Sequence, residues 1–273
     1  MKIKFFDQKI LKTFGIIVGF ISSLIGILAV AIEYNKKYSW IWFLSWVIAL
    51  LLIYILLVVL ANKKNKTSFK INGTKINIFI GDIFNQKDGL KVIPMNEYFD
   101  TQVDDVVIAK NSLHGKYLTS VFTDYNVFNE TVKEKLTPVK VIKERKIKDH
   151  QNKYELGSLI VIGDYALTAF TRFDENNRAY LLGKDYLYFW GSFWANLDKV
   201  CAGRNVYVPL FGAGLTRFNE YSPTKQELLE NMLFALKNSG FRNTYSNKSI
   251  NIVIYRDDAK EIDFYHIAER FGK

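Results

Sequence analysis

Val206-Tyr207-Val208-Pro209-Leu210-Phe211-Gly212-Ala213-Gly214-Leu215-Thr216-Arg217 is the stretch that decides the fold of this chain. Its first five residues are mostly apolar and β-prone, so a buried strand is expected over Val206–Leu210. Two glycines then open a loop, Gly212–Thr216, and a helix is expected over Lys225–Asn238. That helix is signalled by Ser222-Pro223-Thr224, with Thr224 and Glu227 at capping-box spacing, and Gly240 stops it. Its buried face should comprise Leu228, Leu229, Met232, Phe234, Ala235 and Leu236. Strand, glycine loop and capped helix in succession are the unit of an α/β sheet covered on both faces. Ligands of such sheets sit beyond the carboxyl ends of the strands, which makes the loop a candidate site. Glycines lack a Cβ, so backbone amides can close on phosphate oxygens and form an anion nest. Two familiar phosphate loops are excluded: a dinucleotide fingerprint needs a third glycine where Arg217 stands, and a Walker loop needs Gly-Lys-Ser/Thr.

The alternation continues on either side. Strands are expected at Lys75–Ile80, Leu90–Met95, Leu159–Ile162, Ala166–Phe173 and Ile250–Tyr255, and helices at Asp185–Val200 and Glu261–Phe271. The aromatics of Asp185–Val200 read as core packing. Residues 119–152 are charged and weakly periodic, and residues 62–70, rich in Lys and Asn, read as a linker.

The front of the chain has another composition. Thr13–Ile32 is a run of twenty residues without a charge, and Tyr38–Asn62 is another of twenty-five. About twenty apolar residues at 1.5 Å each cross a hydrocarbon core of about 30 Å, so spans are expected at about 13–33 and 39–61. Ala29-Val30-Ala31 resembles a signal-cleavage site, but the first run is longer than the roughly 7–15 apolar residues of a secretory signal. Lys2, Lys4, Lys9 and Lys12 precede the spans and Lys63, Lys64, Lys66 and Lys70 follow them, while the turn has Lys36 and Lys37 against Glu33. Positive flanks stay inside, so a multi-pass protein of the inner cell membrane with both termini cytoplasmic is expected, Trp40, Trp42 and Trp46 lying at the outer interface. Of the net charge of +10, residues 1–66 hold nine lysines against Asp7 and Glu33, leaving 28 bases and 25 acids in the remaining 207 residues. The basicity is a topology signal and argues against a nucleic-acid partner. A single cysteine, Cys201, excludes an intramolecular disulfide, and three scattered histidines lack metal-ligand spacing.

Two more segments follow expected strands. Gly81-Asp82-Ile83-Phe84 comes directly after Lys75–Ile80. A carboxylate fixed in such a turn can accept a hydrogen bond from an amino group such as that of adenine, and an ordinary capping turn is the other reading. From Pro94-Met95-Asn96 the chain runs through Phe99-Asp100 to Asn111-Ser112-Leu113-His114-Gly115, where small polar turns could hold a ribose and its phosphate. His114 taken singly also reads as a surface loop histidine.

In this order the segments resemble a macro domain, the α/β module that binds ADP-ribose, over roughly residues 70–273. The resemblance implies a macro-like mixed sheet flanked by helices on both faces; with the spans, the chain is expected to comprise a two-pass transmembrane hairpin at 1–66 and a cytoplasmic ligand-binding domain at 67–273. It implies that Asp82 and Ile83 hold the adenine and that Tyr255, in Ile252-Val253-Ile254-Tyr255-Arg256-Asp257, stacks on it. Pro209, Gly212, Ala213, Gly214, Leu215 and Thr216 would wrap the phosphates, with Asn96, Ser112, His114 and Gly115 on the ribose side. Many macro-domain hydrolases carry Asn-Ala-Ala-Asn, whose last Asn assists catalysis. This chain has Pro94-Met95-Asn96-Glu97 or Asn96-Glu97-Tyr98-Phe99 there, so binding without hydrolysis is implied, with no catalytic residue, cofactor or metal.

Two spans followed by such a domain resemble the membrane-bound macro effectors (ThsA) of type II Thoeris anti-phage systems. That resemblance implies a TIR-domain partner enzyme that makes an ADP-ribose derivative from NAD, cyclic and amino-acid-conjugated forms both being open. The effector would sense it, oligomerise with its own copies and disrupt the lipid bilayer, arresting or killing the infected cell. The other readings are a membrane-tethered ADP-ribosyl hydrolase or ADP-ribose phosphatase, and a receptor that recruits ADP-ribosylated proteins to the membrane.

Overall fold

The computed structural model describes residues 3–29, 39–122, 124–142, 150–174, 176, 178–241 and 248–272. The chain divides into two compact units, Met1–Asn65 and Lys66–Lys273.

In the first unit, helix α1 spans Gln8–Ala29 and α2 spans Ser39–Lys63, and both are long and apolar enough to cross a membrane. Helix α1 begins five residues before its uncharged run because Asp7 caps it, its carboxylate accepting from the amides of Lys9 at 3.0 Å and Ile10 at 3.2 Å. The residues before α1 fold onto α2. The Tyr54 hydroxyl donates to the Phe5 carbonyl, and the Asn62 side chain accepts from the Ile3 amide at 3.2 Å. Ile3 and Ile10 are buried here, whereas Trp40, Trp42, Phe43 and Leu52 are exposed. Val30, Ala31, Glu33, Lys36 and Lys37, on which the cleavage and turn readings rest, lie outside the described residues.

The second unit opens with a hairpin of β1 (Lys66–Ile71) and β2 (Thr74–Ile80), so the expected linker shrinks to Lys64 and Asn65. The turn is Asn72-Gly73, both at positive φ (49° and 82°), as a two-residue hairpin loop requires. There follow β3 (Leu90–Asn96), α3 (Leu113–Ser120), α4 (Tyr125–Lys135), β4 (Lys140–Val141), β5 (Asn152–Lys153), β6 (Leu159–Ile162), β7 (Tyr165–Phe173) and β8 (Ala179–Leu181). The chain ends with α5 (Gly183–Val200), β9 (Val206–Pro209), β10 (Arg217–Phe218), α6 (Lys225–Asn238), β11 (Ser249–Ile254) and α7 (Ile267–Phe271).

Nine strands form one mixed sheet in the order β1-β2-β11-β9-β3-β7-β8-β10, with β6 pairing β7. The run β2-β11-β9-β3-β7 is parallel throughout, so five carboxyl ends lie along one edge. Alternate residues of each strand feed two cores. One core holds Val92 and Ile252 with the apolar faces of α5, α6 and α7, and the other holds Ile93 and Val253 with Tyr117 of α3 and Phe128 of α4. The sheet is thus covered by helices on both sides, as a macro-like fold requires. On α5, Phe189, Trp190, Phe193 and Trp194 are fully buried, consistent with a packing role for the aromatics.

Two further expectations need correction. On α6 the buried place belongs to Leu233, and Phe234 is 63 % exposed. The helix expected at Glu261–Phe271 is broken into a 3-10 turn at Asp258–Glu261 and the short α7. Between them Asp263 accepts from the amides of Tyr265 at 2.9 Å and His266 at 3.1 Å, a local bond that competes with helix continuation. The charged stretch 119–152 holds α4, capped by Asp124, and the β4–β5 pair, with 143–149 outside the described residues.

Candidate functional site

The carboxyl edge is where strand ends turn into loops, and the neighbours β2 and β11 are stapled there by a bond from the Gly81 amide to the Ile254 carbonyl at 3.0 Å. Directly after it Asp82 caps a 3-10 turn, its carboxylate accepting from the Phe84 amide at 2.9 Å. Its carbonyl accepts from the Gln86 side chain at 2.7 Å. Asp82 is half-buried, Ile83 is buried in the second core, and Tyr255, just past β11, is 55 % exposed. The capping role and a ligand role are compatible, since a carboxylate has more lone pairs than the one amide uses.

The loop after β9 is held at its base and open at its tip. Pro209 ends the strand and is buried, and Phe211 stacks on Trp190 inside the aromatic core at 5.5 Å. Gly212 sits at φ +85°, where a Cβ would also press on Phe218 and Leu228, at 3.0 and 3.2 Å. The amide of Ala213 donates to Leu210 at 3.3 Å, and its carbonyl accepts from the Lys225 ammonium at the start of α6. Lys225 also pairs with Asp258 at 3.3 Å. Burial pushes the Asp258 carboxyl above its ordinary pKa, and Lys225 opposes that shift. Gly214 and Leu215 are exposed and Thr216 is half-buried. Among the described residues, the amides of Gly212, Gly214, Leu215 and Thr216 donate to no other group. Several unpaired donors in one short loop make a site suited to an anion.

The third predicted segment has a different character. Asn96 is buried, and both ends of its amide are engaged: it donates to the Asp100 carboxylate at 2.9 Å and accepts from the amides of Tyr98 and Asp100 at 3.1 and 3.2 Å. His114 is buried and bonds through Nε2 to the Asp100 carbonyl at 2.9 Å. Ser112 caps α3, accepting from the Gly115 amide at 2.9 Å and donating to Ala109 at 2.7 Å. The structure therefore gathers Asn96, Ser112, His114 and Gly115 into a self-satisfied loop after β3. It sets Asp82, Tyr255 and the 212–216 loop on the adjoining strands β2, β11 and β9.

Sequence reading missed two features of this edge. Glu97, fully buried, accepts from Lys153 at 2.9 Å, Arg172 at 3.1 Å and the Phe173 amide at 3.2 Å. Arg172 grips Asp185 with two further bonds, at 2.9 and 3.0 Å. Those bonds hold the Asp185 carboxyl below its ordinary range and push the guanidinium pKa up. The four residues are far apart in sequence, and no local spacing points to them. The other is Lys225, whose signal was its place as first residue of a helix that follows a glycine loop.

Residues 76–255 match the family profile described as Thoeris protein ThsA, Macro domain. The chain is 34 % identical over 212 residues to the Thoeris protein ThsA of Bacillus amyloliquefaciens (strain Y2), covering 75 % of this chain and 70 % of that protein. Among solved structures it is similar to an aspartate-to-alanine mutant of the Oceanobacillus iheyensis macrodomain, at 13 % identity and a TM-score of 0.49, over 76 % of this chain and 100 % of that one. A glycine-to-valine mutant of the same macrodomain, with ADPR, is 13 % identical with a TM-score of 0.47, over 76 % and 97 % of the two chains.

Proposed function

This chain belongs to the Thoeris ThsA family of anti-phage defence proteins, matched across its macro domain, and from that premise we propose that it is a membrane effector switched by an ADP-ribose-type ligand. The observation that carries the reading is the Gly212–Thr216 loop, whose unpaired amides follow β9 at the same sheet edge where Asp82 follows β2 and Tyr255 follows β11. Asp82 and Ile83 take the adenine, Tyr255 stacks on it, and the loop takes the diphosphate. Asn96, Ser112, His114 and Gly115 shape the ribose side, chiefly by holding one another.

The ligand is bound and not turned over. The Asn96 amide is spent on Asp100 and the next position is a buried ion-paired Glu97, an arrangement that supports the absence of a catalytic asparagine. The signal is an ADP-ribose derivative made from NAD by a TIR-domain partner enzyme. Helices α1 and α2 cross the inner membrane with both termini in the cytoplasm, and exposed apolar side chains such as Trp40, Phe43 and Leu52 suit a hydrocarbon surround.

Occupied copies assemble, and assembly disrupts the bilayer. A Cβ placed on Gly15, Gly19 or Gly26 meets nothing within 4 Å, so packing inside the hairpin does not use these glycines. Small residues four apart let helices of two copies approach closely in lipid. The test is the size of the full chain in lipid nanodiscs with and without an ADP-ribose derivative, and growth arrest in cells. A Gly15→Leu/Gly19→Leu double variant should keep membrane insertion and ligand affinity but lose ligand-dependent oligomers and growth arrest. If it still assembles and still arrests growth, this face of α1 does not drive assembly.

A further inference from the structure

Lys225 lies behind the candidate phosphate loop, and its partners Ala213 and Asp258 come from two different segments of the carboxyl edge. Its ammonium donates to the Ala213 carbonyl within the loop after β9 and pairs at 3.3 Å with Asp258 in the turn after β11. The lysine is largely buried, with 24 % of its side chain exposed, and it is anchored at the first position of a helix with a complete capping box. All peptide bonds among the described residues are trans. In a trans peptide the C=O of one residue and the N–H of the next point in opposite directions. A cation holding the Ala213 carbonyl on the α6 side therefore turns the Gly214 amide to the other side. That amide has no partner among the described residues, and Gly214 is exposed with nothing within 4 Å of where a Cβ would stand.

We propose that Lys225 is a positioning residue of the phosphate loop: it fixes the Ala213–Gly214 peptide so that the Gly214 N–H faces a ligand phosphate, while Asp258 holds the ammonium in place. The inference rests on the reading of the loop as a diphosphate site and deepens it. A positive charge on the carbonyl side also polarises the peptide, strengthening its N–H as a donor to an anion. Without Lys225 the peptide is free to rotate, and a bound phosphate must first restore its orientation.

The test compares ADP-ribose with adenosine, which shares the adenine and a ribose but lacks the phosphates, in calorimetric titrations of the full chain in detergent. Lys225→Met should weaken ADP-ribose binding roughly tenfold or more, leave adenosine binding within about twofold, and Lys225→Arg should recover most of the loss. Thermal unfolding of each variant is followed in parallel. Equal weakening of adenosine and ADP-ribose by Lys225→Met, or failure of that variant to fold together with no recovery in Lys225→Arg, would mean a general structural role and overturn the proposal. Unchanged ADP-ribose affinity in Lys225→Met, with the wild type binding, overturns it alone. No binding by the wild type of ADP-ribose, its cyclic forms or its amino-acid conjugates overturns the diphosphate reading and this inference with it.

Discussion

Gly212 and Gly214 stand two residues apart and do different work. Gly212 is required by the fold, since its φ of +85° strains any L side chain and a Cβ there would press on Phe218 at 3.0 Å. Gly214 is under no such constraint, with open space around it. What it offers is an amide that a phosphate can reach without a side chain in the way. Gly214→Ala should therefore leave thermal stability nearly unchanged and weaken ADP-ribose binding about tenfold, as read by calorimetry against the melting temperature. Unaltered affinity would mean that the loop tip does not touch the ligand. This contrast was half legible in the sequence. The two glycines after a strand marked the loop, but only the fold separates the glycine that bends the chain from the one that leaves it open. Asn96 shows the converse: its type suggested a ligand contact, and its amide is consumed within its own loop.

At the scale of elements, legibility followed how local the cause was. Helix α6 could be read to the residue because its cap, Thr224 with Glu227, lies within the helix's own first turn. The β1–β2 hairpin carried an equally local signal, Asn72-Gly73, but its first strand is polar on one face and so passed for a linker. The turn at Asp263 was only half local: its carboxylate caps the next residues, but its amide answers to Gln226 of α6 at 2.9 Å, which no nearby residue signals. The Glu97–Arg172–Asp185 cluster, which ties β3 and β7 to α5, was the least readable, each partner being supplied by a different element. The folded-state pKa of Asp185 is depressed, so its contribution is fully present above the ordinary carboxyl value and is lost as pH falls through the folded value. Asp185→Asn should cost about 2 kcal/mol at pH 7, a melting temperature lower by roughly 4–8 °C. The gap should close as the pH falls below the ordinary carboxyl value and through the depressed folded-state value, where the wild-type carboxyl becomes protonated too. A gap that stays constant with pH would show that the Asp185–Arg172 ion pair is not its source.

The whole molecule joins a hairpin of apolar helices to a domain whose five parallel strands end at one edge. This division was plain in the sequence because hydropathy and charge change together near residue 66. The placement of the candidate segments was also plain, since Asp82, the Gly212–Thr216 loop and Tyr255 each follow a strand. On the proposed reading, the amides and the carboxylate would recognise the ADP-ribose core that its derivatives share. The account stands or falls on that core. The most direct measurement is calorimetric titration of the full chain with ADP-ribose, its cyclic forms and its amino-acid conjugates, with the injected ligand recovered afterwards by chromatography. At least one should bind with saturable heat and be recovered unchanged, and Asp82→Ala should weaken it about ten- to a hundredfold. No heat with any of them, or affinity indifferent to Asp82, would contradict the account.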